Sequence, residues 1–254
     1  METDLVPLLR NALAGIIGVV LLAWFVSDED RAIRSTHVTG PLSLILGVLW
    51  LGMVVFYAPT EKVQGIVQKI FYVHVPCVPA AYLGFLFTAV GGIGYLRTHK
   101  LSWDRVAQSS AEVGVLFCTL ILLSGPIWAK PIWGHWWVWD LRLTSILVLW
   151  FIYVAYLFLR GLAFGSDTAR TFAAIYGIVG TAGIPFVYYA IDIVQGSTLH
   201  PENPARAGLP LEMAWTLIVG ILAFLVFYFY LTAQRLEIAR VEEQVRRTLM
   251  AEQA

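Results

Sequence analysis

Seven apolar runs divide the chain, at about residues 11–26, 42–57, 75–96, 107–128, 144–164, 172–194 and 211–232. A helix that crosses the hydrocarbon core needs ~20 mostly apolar residues, because each residue advances about 1.5 Å and lipid offers no partner for backbone polar groups. The last five runs meet that length, and the second, Leu42 to Tyr57, reaches it with its flanks. The first apolar stretch runs from Ala12 to Val26 and lies between Arg10 and the acidic triplet Asp28-Glu29-Asp30. No small-x-small cleavage pattern follows it, so it reads as an extra N-terminal span or anchor. The pattern predicts an all-α fold, a polytopic membrane helix bundle with six core transmembrane helices plus an extra N-terminal hydrophobic helix. Residues 1–41 form the N-terminal anchor segment and a loop, 42–232 the six-helix membrane domain, and 233–254 a charged tail. The tail, with Arg235, Glu237, Arg240, Glu242, Glu243 and Arg246, is expected to be a solvated helix with pairs three and four residues apart.

Composition agrees with the pattern. The chain has 254 residues, 59% hydrophobic and 13% charged, with a mean hydropathy of +0.73. About 25% charged residues are usual for a soluble domain. A net charge of zero leaves no electrostatic footprint for nucleic acid. Cys77 and Cys118 both sit inside apolar runs, without CxxC or CxxCH spacing, and read as packing residues. No internal repeat is evident, which argues against the paired halves of a secondary transporter.

Lysines and arginines orient the bundle. Loops taken alternately place eleven on one side, among them Arg31, Arg97, Arg105, Arg160, Arg170 and Arg235, and six on the other. The richer side is expected to be cytoplasmic. Loops 58–74, 129–143 and 195–210 then face outward.

Those outer loops carry the unusual residues. Five of the ten tryptophans, Trp128, Trp133, Trp136, Trp137 and Trp139, fall within WAKPIWGHWWVWDLRLTS. Such a cluster is either an interfacial aromatic belt or a ligand platform. Clustered indoles offer flat apolar area and N–H donors, which suits a large planar ligand. Lys130 and Arg142 could meet ligand carboxylates. Asp140 either caps the helix that begins near Leu141 or belongs to the site. Three of the five histidines, His74, His135 and His200, fall on the same side, while His37 and His99 read as loop residues. His74 precedes the third run and His200 follows the sixth, so both stand at one membrane depth, where two helix ends could present axial imidazoles to haem iron. Gln64 and Gln68, one helical turn apart, are candidates for the same vestibule, Asp192 and Glu212 lie at its edge, and Pro185 is expected to kink the sixth helix.

The segment WGHWWVWDLRLTS resembles the tryptophan-rich WWD motif of the haem-handling proteins of cytochrome c maturation. With SGPIWAKP, FYVHVP and STLHP around it, the chain is similar to the haem exporter protein C (CcmC) family from about Leu42 to Tyr230. The resemblance implies six spans in the bacterial inner (cytoplasmic) membrane, both termini in the cytoplasm, and a haem site facing the periplasm. It implies a non-covalent haem b with His74 and His200 as metal ligands, and delivery of that haem to a periplasmic chaperone, cytochrome c maturation protein E. The implied assembly includes subunits A and B of an ABC transporter and a small single-span subunit, D. The first apolar run and His135 depart from the family pattern.

Together these readings place the macrocycle on Trp133, Trp136, Trp137 and Trp139, with Trp128 beside it, His74 and His200 on the iron, and Asp140 and Arg142 at the loop or a propionate. No catalytic residue is assigned, and whether the protein counts as an enzyme stays open: the resemblance implies a delivery factor that promotes covalent attachment of haem to the chaperone. Rival readings are a transmembrane haem transporter subunit, a membrane b-type electron-transfer cytochrome, and an assembly subunit whose indoles only pack against a partner.

Overall fold

The computed structural model describes residues 28–162, 166–193, 200 and 208–252. The first apolar run lies outside them. Among the described residues there is no β-strand, and six helical segments are long and apolar enough to cross a membrane. The protein is a multi-pass helical membrane bundle.

A short helix, α1 (Glu29–Arg34), starts at Asp28, whose carboxylate accepts from the Arg31 amide at 3.2 Å. Helix α2 (Thr36–Gly52) continues through a wide turn, Met53–Tyr57, and forms the first described span. A 3-10 turn (Ile66–Ile70) leads into α3 (Phe71–Thr98), followed by α4 (Leu101–Trp133), α5 (Leu141–Leu162), α6 (Asp167–Thr181), α7 (Gly183–Ile193) and α8 (Leu211–Glu252). Together α6 and α7 make one span, interrupted at Ala182. Pro185 explains the interruption: it has no N–H to offer the Thr181 carbonyl four residues earlier, and its ring crowds that carbonyl.

The antiparallel pair α3 and α4 forms the centre. Lipid supplies no hydrophobic force between helices, so close backbone packing does the work. Gly84 provides it, since a Cβ there would stand 2.6 Å from Gly114 Cα and 2.8 Å from the Ser110 carbonyl oxygen. Phe85 stacks on Tyr153 of α5 with centroids 3.8 Å apart. The Tyr153 hydroxyl is buried and bonds Thr181 Oγ1 at 2.7 Å, which ties α5 to α6. Helix α2 is peripheral, with 6% of its span buried against 56% for α3 and α4. Cys77 and Cys118 are buried and unpaired.

Charged residues gather at one end of the bundle. Asp104 is buried and accepts both Arg160 guanidinium nitrogens at 2.7 Å, with Arg170 Nε at 3.3 Å. Arg105 bonds Glu29 at 2.6 and 2.8 Å and also reaches Glu243. Arg235 pairs with Glu112, and Arg240 with Asp30, whose carboxyl that guanidinium holds below its usual range. The first half of the tail therefore differs from a solvated helix: Ala233, Leu236 and Ala239 are buried, and Arg235 and Arg240 reach across to α4 and α1, while residues 244–249 are exposed as expected and Arg247–Glu243 has the expected spacing of four. The reason is length: α8 runs unbroken for 42 residues, so its charged part leaves the span still aligned with its neighbours.

Candidate functional site

The end of the bundle away from the ion pairs holds a cavity of about 570 Å3, within the ~300–1,000 Å3 range of small-molecule sites. Its wall comes from the start of α3, the end of α4, the start of α5, and α7, with Met213 of α8 and His200 from the 193–211 connection. The wall is mostly apolar; its ionisable and amide side chains are Glu61, Gln64, Gln68, His74, Arg142 and His200, beside the hydroxyls of Tyr82 and Tyr188 and the indole N–H groups.

His74 reaches the wall from the first turn of α3, where Phe71 and Tyr72 are buried on the same turn. Its Nδ1 lies 2.9 Å from Ser124 Oγ of α4. Trp128, one turn further along α4, stands edge-on to the imidazole, with centroids 5.9 Å apart and planes at 68°. The Trp128 indole N–H donates to Gln64 Oε1 at 2.9 Å. That glutamine sits in a tight turn, where Glu61 accepts from the Val63 amide at 2.8 Å and Gly65 adopts a positive φ of 62°. His200 lines the same cavity.

The tryptophan-rich loop begins where α4 stops. Gly134 ends the helix in the left-handed conformation, φ 77°, and returns its amide to the Lys130 carbonyl at 3.0 Å. This reversal sorts the indoles. Trp128, Trp133 and Trp137 line the cavity, and Trp137 Nε1 is buried there with no hydrogen-bond partner among the described residues. Gln68 Oε1 is also buried and unsatisfied on this wall. Trp136 and Trp139 are off the wall, 58% and 76% exposed. Lys130 lies 5.9 Å above the Trp136 ring and donates to the Gly134 carbonyl at 2.9 Å, while Trp139 packs edge-on against Trp137 at 5.8 Å.

Asp140 is off the wall too. It is buried, and its Oδ1 accepts from the Leu143 amide at 2.7 Å, which is an N-cap of α5. This bond holds the turn from which Arg142 and Leu143 line the cavity. His135 is exposed in the loop, and His37 and His99 are exposed elsewhere. Glu212 is exposed, while the side chain of Asp192 lies outside the described residues. Of the residues singled out in the sequence, His74, His200, Trp128, Trp133, Trp137 and Arg142 converge. Gln64 and Gln68 join them, and Ser124 is the partner that no sequence signal marked beyond a polar residue in an apolar run.

The arrangement suits one class of ligand. An apolar cleft with paired imidazoles, an unsatisfied indole N–H and a guanidinium matches a flat apolar body that bears a metal and carboxylates.

Comparison with known proteins gives the same direction. The family model described as heme exporter protein C matches residues 19–251. The protein named heme exporter protein C from Bradyrhizobium diazoefficiens is 34% identical over 193 residues, 72% of this chain and 71% of that protein. Its namesake from Escherichia coli K12 is 33% identical over 187 residues, covering 71% and 73%. The Rhodobacter capsulatus one is 30% identical over 236 residues, covering 90% and 93%. With the match spanning nearly the whole chain, the protein belongs to the heme exporter protein C family.

Proposed function

We propose that this protein holds haem at the outer face of the bacterial inner membrane and delivers it for cytochrome c biogenesis. The observation that carries the reading is the convergence of His74, from the first turn of α3, and His200, from the connection between α7 and α8, on one indole-lined cavity. Family membership supports a role in haem delivery within the cytochrome c maturation system. The charge distribution supports the orientation, because the arginine-rich end lies opposite the cavity, as expected if that end is cytoplasmic.

Haem is cargo here. His74 and His200 are the axial ligands of a non-covalent haem b. Trp133 and Trp137 bear on the macrocycle, and Arg142 and the Trp137 N–H receive a propionate. Trp136 and Trp139, exposed beside the cavity, meet the partner or the open haem edge. Two imidazoles keep the iron from reacting with oxygen and slow haem loss. Release follows when the chaperone, cytochrome c maturation protein E, offers better contacts, since a partner shifts an equilibrium only by differential affinity. Subunits A, B and D of the same pathway complete the assembly. Residues 42–232 are the haem-handling domain, with the anchor 1–41 before it and the tail 233–254 after it.

The test is an absorption spectrum of the detergent-purified protein. A sharp Soret band of b-type haem is expected, and His74→Ala and His200→Ala each shift it or abolish it. If both variants keep the wild-type spectrum and still load the chaperone, the ligand assignment is wrong.

A further inference from the structure

His74 has two ring nitrogens, and only one can face a metal. The hydrogen bonds around Ser124 decide which. Ser124 Oγ lies 2.6 Å from the Leu120 carbonyl oxygen and 2.9 Å from His74 Nδ1. A hydroxyl carries one proton, and a carbonyl can only accept. The serine proton therefore goes to Leu120, within the same helix, and Oγ offers a lone pair to the histidine. Nδ1 must bring its own hydrogen. The neutral ring is then the Nδ1–H tautomer, with its lone pair on Nε2.

We propose that Ser124 is a positioning residue for the haem ligand, holding His74 as the Nδ1–H tautomer so that Nε2 is the atom offered to iron. The inference rests on the haem reading above and deepens it. Two neighbours restrict the ring further. Trp128 stands edge-on at 5.9 Å and is itself held by Gln64. On the α4 side the ring faces Gly125, where a Cβ would come into ordinary contact with His74 Cε1 at 3.5 Å. The imidazole is thus bounded by one helix face and anchored at one nitrogen. An acceptor on the N–H of a coordinated histidine also makes the ring a stronger donor. Ser124 should accordingly stabilise the ferric state over the ferrous state and strengthen haem retention.

The experiment compares full-length wild type, Ser124→Ala, Ser124→Thr and His74→Ala in detergent, reading haem dissociation and the midpoint potential of bound haem. Loss of an outer partner of a metal ligand typically costs about 10–100-fold in affinity. Ser124→Ala is expected to lose haem about tenfold faster and to show a higher midpoint potential, with helix content unchanged. Ser124→Thr, which keeps the hydroxyl, is expected to restore both. The proposal is overturned if Ser124→Ala matches wild type in both readouts while His74→Ala does not, a result that leaves the haem reading intact. It is also overturned if Ser124→Thr behaves as Ser124→Ala. Wild-type protein without haem, or with haem indifferent to His74→Ala, removes the haem reading itself and this inference with it.

Discussion

Asp104 offers a clean separation of bundle stability from the proposed haem site. It lies at the start of α4, roughly 25 Å along that helix from Ile121, where the cavity wall begins, at a rise of about 1.5 Å per residue. Its carboxylate is buried and takes two bonds from Arg160 at 2.7 Å and a third contact from Arg170 at 3.3 Å. Replacing it with leucine strands the Arg160 guanidinium, which is only 11% exposed. Breaking one side of a buried pair costs about 3–5 kcal/mol. Gln108 at 3.0 Å and the Tyr156 hydroxyl at 3.5 Å still accept from Arg160, so the lower end, about 3 kcal/mol, is expected. At about 2–4 °C per kcal/mol for a chain of this size, the melting temperature in detergent should fall by roughly 6–12 °C. Adding Arg160→Met removes the stranded charge and should recover much of the loss, because apolar replacement of a whole buried pair is often neutral. Tryptophan fluorescence melts measure this, and the haem spectrum below the transition should not change. The reasoning is refuted if Asp104→Leu melts within about 2 °C of wild type, or if the double variant melts below the single one.

Two further tests bear on the site and the core. Asp140→Ala should weaken haem binding by a few-fold, from the loss of a cap worth about 1 kcal/mol, whereas Asp140→Asn, which can still cap, should bind within about twofold of wild type; equal losses in a haem titration would show that the charge itself serves the ligand. Gly84→Val should reduce the yield of folded protein and lower the melting temperature, because its Cβ meets Gly114 Cα at 2.6 Å and backbone cannot step aside as a flexible side chain can; an unchanged melt would mean α3 and α4 are not packed at that point.

The six spans were legible because lipid demands long apolar runs and leaves few alternatives. The helix over the charged tail was legible as well, but its partners were not. Helix α8 continues 20 residues past the apolar run that ends near 232, and its arginines meet carboxylates on α1 and α4, contacts separated by more than a hundred positions that no local pattern contains. His74 and His200 stood out as polar rings at matched depth. The indole cluster was visible, yet its sorting depended on the left-handed turn at Gly134, which sends Trp137 to the cavity and leaves Trp136 and Trp139 outside it. Asp140 fitted two roles equally in the sequence, and the Leu143 amide at 2.7 Å identifies a cap. Ser124 was unreadable because its partner is 50 positions away.

Helix α8 has one more consequence. Met213, near its first turn, forms part of the cavity wall, and Arg235, Arg240 and Glu243 fasten its far portion to α4 and α1. The element holds no proline, Gly220 is its one glycine, and it is about 60 Å long. A strut of that kind transmits displacement instead of absorbing it. Whatever grips the ionic clasp from the arginine-rich side also has a handle on the rim of the cavity.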